Sequence, residues 1–158
     1  MHYSIPEIGI SLEEFRKRHQ EKDLLNCQLF VDTGNGFREE EKIQAETVLQ
    51  DGALRVTFDL KNFKDWKALR FDPLEGTPGI CRIDHAGTGA KLKAANASGK
   101  VEHGDLFLTT DPVYLVKMEE NKDQVKISGM IAVLSMEEAL ERANWLLGKK
   151  NGLAFWRK

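Results

Sequence analysis

The chain has 158 residues, 41% of them hydrophobic and 30% charged, with a formal net charge of −2. This length and apolar fraction suit one domain with a proper core and exclude a disordered chain. The charge balance and a pI near 6.1 exclude a general pull toward nucleic acid or anionic lipid, and no apolar run approaches the ~20 residues of a membrane span.

The N-terminal stretch MHYSIPEIGISLEEF lacks the basic and apolar blocks of a signal peptide, so an intracellular, cytoplasmic protein is expected. Ser11-Leu-Glu-Glu14 has the spacing of a capping box, and the charged segment after it predicts a short surface helix within an extension over residues 1–24. The period then changes from helical to extended. Asn26 to Val31 alternates, and Asp32-Thr-Gly-Asn-Gly36 is a turn cluster that needs positive-φ positions. Glu39, Glu40 and Glu41 form an acidic corner before a second run, Ile43 to Leu49. Asp51-Gly52 separates that run from Ala53 to Leu60, in which Leu54, Val56 and Phe58 share a face; a DG pair between two such runs predicts a hairpin.

Phe63 and Trp66 lead, through a short segment of 3₁₀ character, into Trp66 to His85, the stretch with the clearest architecture. Leu69 and Phe71 alternate with Arg70 and Asp72, and Cys81 and Ile83 with Arg82 and Asp84, around the Pro73–Gly79 connection. If the two runs pair antiparallel with Phe71 opposite Ile83, Arg70 faces Asp84 and Asp72 faces Arg82, which favours that register. The alternative is that the strands lie in different sheets and alternation alone turns the charges outward. Further on, Ala90 to Ala97 is small and Lys-bearing and predicts an edge strand. Asp105 to Thr110, Val113 to Met118 and Gln124 to Leu134 complete the strands, with Gly129 a candidate bulge.

In the tail, Ser135-Met-Glu-Glu138 is a second capping box. Met136, Leu140, Ala143 and Leu147 predict an apolar stripe, and Gly148 a C-cap. Leu153, Phe155 and Trp156 are too apolar for a free end. About eight short strands with a helix before and after predict a mainly β protein: an antiparallel sandwich, jelly-roll-like, over residues 25–134, then a C-terminal helix and tail over 135–158.

The search for chemistry yields no catalytic, cofactor-binding or metal-binding set. Thr33 to Gly36 lacks the lysine of a phosphate loop. His2, His19, His85 and His103 are dispersed, and His85 beside Asp84 points to the opposite face of a strand. Asp32 and Asn35 offer oxygen ligands for calcium, as one short cluster only. Cys27 and Cys81 have no CxxC spacing and read as buried reduced thiols. Phe37, Trp66, Tyr114 and Trp145 are the aromatics that would contact a glycan or a partner if exposed; core packing is the commoner fate of such rings.

Three stretches, QLFVDTGNGF at 28–37, LRFDPLEGTPGICRIDH at 69–85 and DLFLTTDPVYLV at 105–116, together resemble an accessory β-sandwich module of large bacterial glycosyltransferases that build cell-surface polysaccharide. The resemblance covers residues 25 to 134. It implies a non-catalytic module that orients a transferase or touches its glycan, within a longer parent protein, with carbohydrate or a glycosyltransferase domain as partner. No nucleotide-sugar fold and no DxD motif accompany it. An interaction domain that self-associates, as a homodimer, through the C-terminal helix is the other expectation.

Overall fold

The computed structural model describes residues 26–46, 52–84, 90–101, 104–118 and 123–156. The expected N-terminal helix after Ser11 and all four histidines lie outside the described residues. Ten strands and one helix follow in order: β1 (Asn26–Asp32), β2 (Lys42–Glu46), β3 (Ala53–Asp59), β4 (Ala68–Asp72), β5 (Gly79–Asp84), β6 (Ala90–Ala94), β7 (Gly99–Val101), β8 (Gly104–Phe107), β9 (Tyr114–Met118), β10 (Gln124–Val133) and α1 (Met136–Trp156).

The strands form two five-stranded sheets with the orders β2-β1-β4-β9-β6 and β3-β10-β5-β8-β7, called here the first and second sheets, and every pairing is antiparallel. Their inner faces meet in one core. Phe58 of the second sheet packs edge-on against Phe71 of the first, with ring centroids 5.9 Å apart, and Phe107 meets Tyr114 likewise at 5.3 Å. Aromatic pairs prefer this T-shaped contact because the positive ring edge faces the negative ring face. Leu29, Leu69, Val56 and Ile127 fill the space around them. The architecture is a β-sandwich.

Alternation explains most of the strands. β3 alternates strictly, with Leu54, Val56 and Phe58 buried and Arg55, Thr57 and Asp59 exposed. The expected edge strand at Ala90–Ala94 does lie at an edge of the first sheet. Cys27 and Cys81 are buried thiols outside any disulfide, and burial pushes the Cys81 thiol well above its ordinary range.

Four expectations about pairing and connections are corrected. Phe71 and Ile83 are not cross-strand neighbours: β4 and β5 belong to different sheets. Each is an interior strand whose two hydrogen-bonding edges are already taken, β4 by β1 and β9, β5 by β10 and β8. The Pro73–Pro78 link crosses from sheet to sheet, held by the Gly76 N–H on the Thr110 carbonyl and by the buried Thr77 hydroxyl, which donates toward the Leu134 carbonyl. Nor do β2 and β3 form a hairpin across Asp51-Gly52. β2 pairs with β1 and β3 with β10, and Gly52, at φ 81°, offers its carbonyl to the Ile131 N–H. Gly129 marks no bulge, since β10 pairs through it on both sides; a Cβ there would overlap the Arg82 carbonyl oxygen. The segment around Phe63 is a turn, not a helix.

The capping box of α1 forms as expected: the Glu138 N–H donates to Ser135 Oγ, and the Ser135 N–H to Glu138 Oε1. Met136, Ala139, Leu140, Ala143 and Leu146 pack on Val101, Leu106 and Leu108, covering the β7–β8 end of the second sheet's outer face with a second small core. Leu147 is exposed, and Leu146 takes the expected place against the sandwich, next to Gly99. Gly148 caps nothing; the helix runs through it to Trp156. No helix among the described residues is long and apolar enough to cross a membrane.

Candidate functional site

α1 covers the β7–β8 end of the second sheet, while the β3–β10 part of that sheet and the outer face of the first sheet present exposed side chains. Of these, the first sheet's face holds an arginine over aromatic rings and against a carboxylate. β1 brings Gln28 and Phe30 to that face, and the register sets them directly beside Asp72 and Arg70 of β4. On the other side of β1, Phe30 pairs with Lys42 of β2; on the other side of β4, Arg70 pairs with Leu115 of β9, and Leu115 with Lys93 of β6. One transverse row, Lys42–Phe30–Arg70–Leu115–Lys93, thus crosses all five strands, alternating cation and apolar side chain.

The centre of the row is tightly built. Arg70 lies over the Phe30 ring, 4.2 Å from guanidinium to centroid, and 5.4 Å from the Phe37 ring. Its Nε and Nη2 donate to the two oxygens of Asp72 at 2.9 and 3.0 Å. A fork held at both ends and clamped between two rings has little rotamer freedom left to lose on binding. Its Nη1 has no partner among the described residues. Phe30 is only 4% exposed beneath it, whereas Phe37 is half-buried. Lys42 stands 5.8 Å from the Phe30 centroid and also meets Glu39.

Asp72 is buried, and burial pushes its carboxyl from 3.8 up to about 6; the hydrogen bonds and charge of Arg70 pull it back, and Asp111 and Glu39 add repulsion. Loss of hydration therefore outweighs even a bidentate partner.

A second concavity, about 450 Å³, opens at the edge of the sandwich between β6 and β7. Leu92 and Ala94 line one side, Lys100 and Asp105 the other. The Tyr114 hydroxyl donates to Asp105 Oδ2 at 2.7 Å. Ser98 Oγ, also at this mouth, is the one buried side-chain polar atom without a partner among the described residues.

The four expected aromatic contacts are not brought together. Phe37 joins the outer face of the first sheet. Trp66 packs against the main core, and Tyr114 is 1% exposed, so its ring has no face for a sugar. Trp145 stands on α1, 49% exposed, away from the others. Asp32 accepts the N–H groups of Gly34 and Gly36 on one carboxylate oxygen, closing the turn, and no group of three carboxylate, histidine or cysteine side chains suited to a metal occurs among the described residues. Glu39, Glu40 and Glu41 are tied to Lys42, Arg38 and Thr33, as a solvated corner would be.

Phe30, Arg70 and Asp72 escaped the sequence reading as site residues. One signal was present: β1 carries apolar side chains on both registers, with Phe30 between Gln28 and Asp32, which requires cover on both faces. Comparison with models of protein families, with curated proteins and with solved structures finds no match to this chain.

Proposed function

We propose that the chain is a non-catalytic, jelly-roll-like accessory module that contacts glycan through the outer face of its first sheet, as part of a bacterial glycosyltransferase for cell-surface polysaccharide. The pairs β3–β10, β4–β9 and β5–β8 nest one inside the next, which supports the jelly-roll-like reading. The observation that carries the functional reading is where the three resembling stretches meet. Phe30 and Phe37 come from the first, Arg70 and Asp72 from the second, and Asp111, whose charge is felt by Asp72, from the third. A half-buried ring beside unclaimed guanidinium hydrogens offers a pyranose what it needs, an apolar platform for its C–H face and a donor for its hydroxyls.

Affinity electrophoresis of the purified chain through gels containing polygalacturonate or dextran tests this. Retardation by at least one polymer is expected, weakened about tenfold or more by Phe37→Ala, a loss near 1.4 kcal/mol. Free mobility in every gel, or turnover of a nucleotide sugar or glycoside, would contradict the reading.

A second reading rests on Trp145 and Leu147, large apolar side chains 49% and 58% exposed on α1: self-association through the helix. Light scattering on the native chain and on Trp145→Ser reports it directly, as a dimer mass that the substitution halves.

A further inference from the structure

We infer that the β6–β9 end of the first sheet's outer face is an anion-binding surface, and that the glycan it takes is acidic. Lys91 and Lys93 of β6 and Lys117 of β9 are exposed on this face, and none has an ion-pair partner among the described residues. Lys91 and Lys117 are direct cross-strand partners. Like charges so placed repel and destabilise the pair, and here they occur in a chain whose net charge is −2.

Lysine on a sheet edge commonly blocks edge-to-edge aggregation. That accounts for Lys91 and Lys93, since β6 is the edge strand, but not for Lys117. β9 is interior, between β4 and β6, and needs no protection. An acidic residue opposite Lys91 would guard the edge equally well and relieve the repulsion. What the lysine pair adds is a concentrated positive charge at a place where an anion would neutralise both.

The surroundings favour a carbohydrate over other polyanions. Leu115, 47% exposed, lies directly opposite Lys93 and next to Arg70, so the lysines flank an apolar platform that continues to Phe37. Along the transverse row, Lys42, Arg70 and Lys93 stand two strands apart, about 9–10 Å at each step, a spacing on the scale of successive acidic units in a polysaccharide of disaccharide repeats. The occupant is thus an extended uronate-bearing chain lying across the strands, its carboxylates on the lysines and its sugar faces on Leu115 and Phe37. This rests on the glycan reading above and adds charge selectivity to it.

Titration calorimetry of the full chain with a short oligogalacturonate and with a neutral oligodextran separates the two. Oligogalacturonate is expected to bind more tightly, to weaken steeply between low and moderate salt, and to lose tenfold or more in affinity in Lys91→Gln/Lys117→Gln. Removing a like-charge pair should leave the melting temperature of that variant unchanged or higher, so lost binding would not report lost folding. Equal binding of both oligosaccharides, indifferent to the substitutions, would overturn the acidic-glycan inference and leave the glycan reading standing. Binding of neither would overturn both. Tighter, lysine-dependent binding of a short DNA duplex or of vesicles rich in phosphatidylserine would overturn the choice of glycan.

Discussion

Burial of Asp72 beside Arg70 has a consequence that can be read by titration. The folded carboxyl sits at about 6, above its ordinary 3.8, so the folded chain holds this proton more tightly than the unfolded one. Its stabilising contribution is then fully present below about 3.8 and lost as pH rises through about 6. A displacement of about two units corresponds to ~3 kcal/mol at most. Urea denaturation of the native chain and of Asp72→Asn should give a stability difference that moves in the variant's favour by up to ~3 kcal/mol between about pH 4 and pH 7; a constant difference would contradict it. Gly129 is the other residue whose identity is fixed by contact, because a Cβ there meets the backbone carbonyl of Arg82 on the neighbouring strand. Gly129→Ala should lower stability by about 1–3 kcal/mol or more, with an unchanged denaturant slope. Neither residue's environment was legible from the sequence. Both depend on which strand lies alongside, and local pattern does not encode the neighbour.

The strands themselves were legible, and their partners were not. Alternation reports that one face is apolar, as in β3, but it is silent on which of two sheets receives the strand. The charges of Arg70, Asp72, Arg82 and Asp84 suggested a hairpin because each run was complementary to the other. The structure satisfies Arg70 within its own strand, through Asp72 two residues on, while Arg82 Nη2 reaches Met130 Sδ. β7, only three residues long, is too short to show a period. The capping box of α1 was readable because its signal is local: a hydroxyl and a carboxylate three residues apart suffice. Ser135→Ala should therefore cost about 1 kcal/mol, seen as a lower denaturant midpoint. Because Met136 and Ala139 sit in the first turn against Leu134, the loss should appear in the global transition and not merely as fraying of the helix end.

At the scale of the molecule, the division of labour follows from what each sheet has on its outer side. α1 packs over Leu106 and Val101 at the β7–β8 end of the second sheet; among the described residues no helix lies on the first sheet, whose outer face carries the alternating row from Lys42 to Lys93 with Phe30 and Asp72 buried within it. Of the expected contact residues only Phe37 belongs to that row's surroundings, because a face assembled from four or five strands cannot be listed from sequence until their order is known. The central claim is that this face, and not α1 or the mouth between β6 and β7, receives the glycan. Amide chemical-shift mapping of the labelled chain during titration with oligogalacturonate tests it most directly. The account predicts saturable shifts that cluster on Phe37, Arg70, Leu115, Lys117, Lys91 and Lys93, with α1 silent. Shifts confined to α1 or to the surroundings of Ser98 and Asp105, or none at all, would contradict it.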